Sequence, residues 1–131
     1  VPLGELKRLP PDEASFRKAM RNYTTKAKRE GRAWELSPEE VRELFSSPCS
    51  YCGAPPRNRS SVDRITAVPC IYTGIDRLDS SRGYTRDNVT PCCAVCNLGK
   101  RDMPLADWLA YLNQLVSFRA EGRGMEVASN G

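Results

Sequence analysis

Residues Gly74 to Met103 read GIDRLDSSRGYTRDNVTPCCAVCNLGKRDM, and the reading of this stretch decides the fold. Within thirty residues it carries Asp76, the asparagines Asn88 and Asn97, several arginines and the pair Cys93-Ala94-Val95-Cys96. A second pair, Cys49-Ser50-Tyr51-Cys52, lies upstream. Thiolates two residues apart can ligate one zinc, because the turn between them brings both sulfurs to tetrahedral spacing. Cys49, Cys52, Cys93 and Cys96 are therefore the candidate zinc ligands, with forty residues between Cys52 and Cys93. Those residues must form an insertion between the two knuckles. Cys92 could take the place of Cys93, and Cys70 has no evident partner. The plain alternative for both is a small buried hydrophobe.

Inside the insertion, Ile71, Ile75 and Leu78 predict a strand over 70–78, Ser80 to Gly83 a turn, and Asn88 to Pro91 a short returning strand. A short helix is expected over 97–100. Ala54 to Asp63 is polar and aperiodic, and is expected as a loop. Upstream, Ser37-Pro38-Glu39-Glu40 reads as a capping box opening a helix through Val41, Leu44 and Phe45, which ends at Ser47-Pro48. Ala33 to Leu36 suggests an extended segment. Phe16, Met20, Tyr23 and Ala27 recur at the spacing of one helix face, with Asp12 as the expected cap and Gly31 as the stop. Downstream, Pro104 opens a final helix whose Leu105, Trp108, Leu109, Leu112, Leu115 and Val116 form a stripe expected to be core.

The chain has 131 residues, enough for one modest core, and the ten prolines and nine glycines imply much irregular structure. The predicted divisions are an N-terminal arm and basic helix over 1–32, a central domain over 33–120 and a flexible tail over 121–131. A net charge of +4 permits a polyanionic partner without requiring one. Basic residues crowd the first quarter of the chain, where Arg17, Arg21 and Lys28 form a row on the first helix. A solvated face is the plain alternative for that row. No window reaches the apolar length of a membrane span and no signal-peptide pattern opens the chain, so a soluble, intracellular, cytoplasmic protein is expected. Three disulfides in a secreted domain would also use six cysteines, but the paired spacing favours metal.

Gly74-Ile75-Asp76-Arg77-Leu78, then Gly83-Tyr84-Thr85-x-Asp87-Asn88-Val89-x-Pro91-Cys92-Cys93-x-x-Cys96-Asn97-x-x-Lys100, preceded by Cys49-x-Tyr51-Cys52-Gly53, resembles the zinc-ribbon branch of the HNH, or ββα-metal, endonucleases. The resemblance covers residues 33 to 110. It implies an α+β fold: a small ββα-metal nuclease core stapled by a four-cysteine zinc ribbon and flanked by N- and C-terminal helices. It also implies two metals, a structural Zn²⁺ and a catalytic Mg²⁺ or Mn²⁺. Asp76 and Asn97 match the ligands of the catalytic cation, and an Asp carboxylate and an Asn amide oxygen suit a hard ion. Asn88 matches the asparagine that braces the loop between the strands.

One departure stands out, since the chain contains no histidine and the usual general base falls at Arg77. Arginine stays protonated in proteins, so it cannot serve as that base, but it can clamp a phosphate. Tyr51 is the candidate replacement as base or nucleophile, needing positive charge from Arg77 or the metal, with packing over the knuckle as its alternative and Tyr72 as a weaker candidate. Arg82, Arg86 and Lys100 join Arg17, Arg21 and Lys28 as candidate DNA phosphate contacts, whereas Asp79 and Asp87 read as turn caps. The implied activity is metal-dependent cleavage of double-stranded DNA of restriction or homing type, often by homodimers on palindromic sites. The rivals are an inactive zinc-ribbon DNA-binding module, an RNA-directed nuclease or binder, and a purely structural zinc domain.

Overall fold

The computed structural model describes residues 11–62 and 68–122, so most of the expected N-terminal arm and the tail from 123 lie outside the described residues. The first helix, α1, spans Pro11–Arg29, with Asp12 and Glu13 in its first turn and Lys26, Lys28 and Arg29 in its last. Both sets of charges complement the helix dipole. Asp12 thus lies inside the helix and is not its cap, because Pro11 already takes helical geometry, as proline readily does in a first turn. Gly31 ends the segment at φ 67, a left-handed conformation that glycine adopts without a Cβ penalty.

The second helix, α2 (Pro38–Ser46), opens with the expected reciprocal cap. Ser37 Oγ accepts from the Glu40 N–H at 3.1 Å, and the Glu40 carboxylate accepts from the Ser37 N–H at 2.9 Å. Its Val41, Leu44 and Phe45 are buried and meet Phe16, Ala19 and Ala27 of α1 in one core that also takes in Leu36, Ile75, Tyr84 and Val89. Aromatic contacts knit this core, among them Phe16 edge-on to Phe45 at 5.7 Å and Phe45 against Tyr72 at 4.6 Å. The basic helix therefore shares its apolar face with the region it precedes.

The expected strand over 70–78 is two strands in different sheets. β1 (Asn58–Ser60) pairs antiparallel with β2 (Cys70–Tyr72), while β3 (Gly74–Arg77) pairs antiparallel with β4 (Val89–Cys92), Asp76 opposite Thr90. The break falls at Thr73, whose N–H donates to the Phe45 carbonyl at 2.9 Å and whose hydroxyl donates to the Ser47 carbonyl at 2.5 Å. The end of α2 takes the hydrogen bonds that a continuous ladder would have used. At Gly74 a Cβ would lie 2.9 Å from Tyr23 Oη and 3.0 Å from the Cys92 carbonyl, so only glycine lets the new strand start there. β1 arises within the expected loop because its pairing comes from a partner strand and not from its own pattern.

After β4 the chain turns into α3 (Ala94–Lys100), where Cys93 Sγ caps the Cys96 N–H at 3.4 Å. Hairpin and helix together form the ββα unit of an α+β fold. From Asp102 onward a separate unit begins, and α4 (Leu105–Ala120) belongs to it. The expected core stripe holds only in part: Trp108 is buried and Leu105 and Leu112 are half-buried, but Leu109, Leu115 and Val116 are exposed, Val116 by 68%. Apolar side chains run round most of this helix, Tyr111 and Phe118 included, and one face cannot bury them all. Among the described residues no helix is long and apolar enough to cross a membrane.

Candidate active site and metal centre

The two cysteine pairs converge as the spacing predicts. The sulfurs of Cys49, Cys52, Cys93 and Cys96 all lie within 4.8 Å of one another, with Cys52 and Cys93 at 3.6 Å. Zinc thiolate bonds of about 2.3 Å place the corners of a tetrahedron about 3.8 Å apart, so the quartet fits such an ion. Cys93, not Cys92, joins the quartet, and Cys92 is a buried thiol outside it. Burial raises the Cys49 thiol, but the backbone amides of Cys93, Cys52 and Tyr51 outweigh it and bring the thiol down to about 6. The Ser50 N–H donates to the Pro91 carbonyl at 2.8 Å, which ties the first knuckle to β4. Tyr51 is thereby carried to the hairpin.

There the Tyr51 hydroxyl donates to Asp76 Oδ2 at 2.9 Å. Lys100 reaches the same oxygen from α3, with Nζ at 3.2 Å, and also donates to the Arg77 carbonyl at 3.2 Å. Asp76 is buried, and the Lys100 side chain has 0% exposure. Lys100 is therefore not available as a DNA phosphate contact: its ammonium is engaged inside the protein by the ion pair and the carbonyl. A sequence signal for this existed, since Cys96 and Lys100 are four residues apart on a short helix and share its inward face.

The charge next to Tyr51 also differs from expectation. Burial is the first cause, and the Asp76 carboxylate the second, of a phenol held far above its ordinary range. The hydroxyl donates to a carboxylate whose same oxygen also holds the Lys100 ammonium, and Arg77 is turned elsewhere. Arg77 closes β3, and its guanidinium turns toward the following loop, donating to the Ser80 and Arg82 carbonyls and lying over the Tyr84 ring at 5.4 Å. Alternation along a strand sends neighbouring side chains to opposite faces, which accounts for the divergence of Asp76 and Arg77.

Asn88 is buried and uses its whole amide within that loop. Oδ1 accepts from the Asp79 N–H at 2.9 Å, and Nδ2 donates to the carbonyls of Asp79 and Gly83 at 3.0 and 2.9 Å. Asn97 is exposed on α3, one turn before Lys100. Asp79 caps a turn through Ser81 at 3.0 Å, and Asp87 takes Arg82 at 2.8 Å. Arg17, Arg21, Lys28, Arg82 and Arg86 are all exposed, with Arg86 paired to Glu43 at 3.2 Å. Cys70 is half-buried beside the core, as a small apolar residue would be.

No family model matches the chain. Over 84 residues it is 34% identical to uncharacterized protein R423 of Acanthamoeba polyphaga mimivirus, covering 64% of this chain and 14% of that protein. The chain thus spans about 14% of the length of this curated relative. Among solved structures it is similar to the rare-cutting HNH restriction endonuclease PacI, at TM-score 0.57 and 21% identity, covering 95% of this chain and 97% of the PacI chain. The fold is similar to that of PacI. Its ββα unit is where Tyr51, Asp76 and Lys100 meet.

Proposed function

We propose that the chain is an HNH-type endonuclease that hydrolyses phosphodiester bonds of double-stranded DNA, using one Mg²⁺ or Mn²⁺ held by Asp76 and Asn97 and a structural Zn²⁺ held by Cys49, Cys52, Cys93 and Cys96. The observation that carries this reading is the hydrogen bond from Tyr51 to the buried Asp76, formed beside a metal-competent thiol quartet. The likeness of the fold to that of PacI supports it. When bound, the divalent cation supplies stabilisation of charge on the leaving oxygen.

The direction of the hydrogen bond favours the phenol as nucleophile over the phenol as base. A base would have to lose its proton before meeting water, and burial and Asp76 both oppose that loss. A nucleophile need not lose its proton beforehand: as its oxygen attacks phosphorus the proton leaves along the hydrogen bond toward Asp76 and passes on to water, so that Asp76 stays a carboxylate paired with Lys100. The oxygen–phosphorus bond forms, the bond to the leaving nucleoside oxygen breaks, that oxygen takes up a proton, and water then hydrolyses the phosphotyrosine. Arg77 faces the loop and not Asp76, so to hold the scissile phosphate it would have to leave the Ser80 and Arg82 carbonyls and turn toward the site, exchanging them for phosphate oxygens. Asn88 keeps the loop that aims it.

The deciding experiment is plasmid cleavage by zinc-loaded protein with Mg²⁺ or Mn²⁺. Asp76→Ala is expected to abolish cleavage and keep its zinc; loss of zinc would mean that the two metal sites were confused. Binding without cleavage across several DNA substrates would favour an inactive DNA-binding module. Preferential competition by structured RNA would redirect the reading to RNA.

A further inference from the structure

We infer that Lys100 neutralises the carboxylate of the candidate cation site, so that the free protein binds a divalent cation weakly and a DNA phosphate completes the site. The inference rests on the reading of Asp76 as a cation ligand given above. Lys100 Nζ and the Tyr51 hydroxyl converge on Oδ2 of Asp76, at 3.2 and 2.9 Å. The lysine side chain has 0% exposure and its ammonium is anchored a second time by the Arg77 carbonyl at 3.2 Å. It cannot swing into solvent as a surface lysine would.

Among the described residues no cluster of acids offsets it. Among the described residues, the cysteine quartet is the only group of three or more cysteine or acidic side chains placed to share an ion. Asp79 and Asp87 are engaged with Ser81 and Arg82. Asn97 offers a neutral amide. One carboxylate and one ammonium then leave the site without net charge, whereas tight sites for hard divalent ions gather several anionic oxygens. An ammonium within roughly 5 Å of a divalent ion lowers its affinity by about tenfold or more, even at the dielectric of water. A phosphodiester brings the missing negative charge and oxygen ligands together, and so couples the cation to the substrate.

The test is a Mn²⁺ titration of zinc-loaded protein without DNA, with free Mn²⁺ followed by electron paramagnetic resonance. Wild type is expected to bind only in the millimolar range. Lys100→Met is expected to bind at least about tenfold more tightly, and to gain more melting temperature from added Mn²⁺ than wild type does. Lys100→Arg keeps the charge and is expected to stay weak. Lys100→Gln, which keeps a donor in place, reads the same comparison where Met is not tolerated. Low-micromolar binding by wild type without DNA overturns the inference. So does unchanged or weaker binding by Lys100→Met or Lys100→Gln with zinc content and circular dichroism intact. Absence of cleavage in the plasmid assay would sink the nuclease reading and leave these affinities as a separate result.

Discussion

A phenol whose proton is held by a carboxylate is a poor base and a usable nucleophile, and the two roles differ in a trapped product. Tyr51→Phe removes the hydroxyl that donates to Asp76 at 2.9 Å and is expected to cost several orders of magnitude in cleavage rate, on the order of 10³-fold or more. Zinc content should not change. With wild type, denaturing gels of quenched reactions should reveal a covalent protein–DNA adduct, which a phenol acting only as a base would never form. Near-normal turnover by Tyr51→Phe would return the ring to packing over the knuckle. The neighbouring Asn88 makes a purely structural prediction. Its buried side chain joins two carbonyls and one N–H of the loop, so Asn88→Ala should destabilise the fold by about 3 kcal/mol in urea unfolding.

Elements differ in how legible they are without coordinates, and the differences have local causes. The capping box of α2 is readable because Ser37 and Glu40 satisfy each other within one turn, independent of anything distant. Ser37→Ala should lower stability by about 1 kcal/mol, measured by the same unfolding. The cysteine pairs are readable because ligand spacing is also a local constraint. Cys93→Ser should release the metal and Cys92→Ser should retain it, as metal analysis will check, since only Cys93 belongs to the quartet. The break at Thr73 is not readable, because the groups that interrupt the ladder are carbonyls at the end of α2, some 26 residues away. The place of Lys100 is readable only in part: its spacing from Cys96 puts it on the inward face of α3, but its charge suggests solvent until the Asp76 carboxylate is seen beside it. The apolar stripe of α4 does mark a helix but only Trp108 of it is fully buried, for hydrophobic period reports a helix and not what covers it.

At the scale of the molecule, the sequence carries its positive charge unevenly, and α1 is where that charge meets the core. Phe16, Ala19 and Ala27 bury one face of the helix against α2 and the hairpin, while Arg17, Arg21 and Lys28 stay exposed on another. Arg17 lies 3.3 Å from Glu13, but an exposed pair of this kind is worth little and leaves the guanidinium free to exchange partners. If this row tracks a phosphate backbone, each cation displaces about one condensed counterion, and the logarithm of affinity falls with the logarithm of salt by about 0.9 per contact on duplex DNA. Replacing Arg17, Arg21 and Lys28 with alanine should then flatten that slope by about 2 to 3. The loss of affinity should be similar for unrelated duplex sequences, because phosphates carry no sequence. Fluorescence anisotropy across a salt series measures both quantities. A triple variant with wild-type slope would make the row a solvated face and move the DNA contact to Arg82 and Arg86, which flank the loop beside the hairpin.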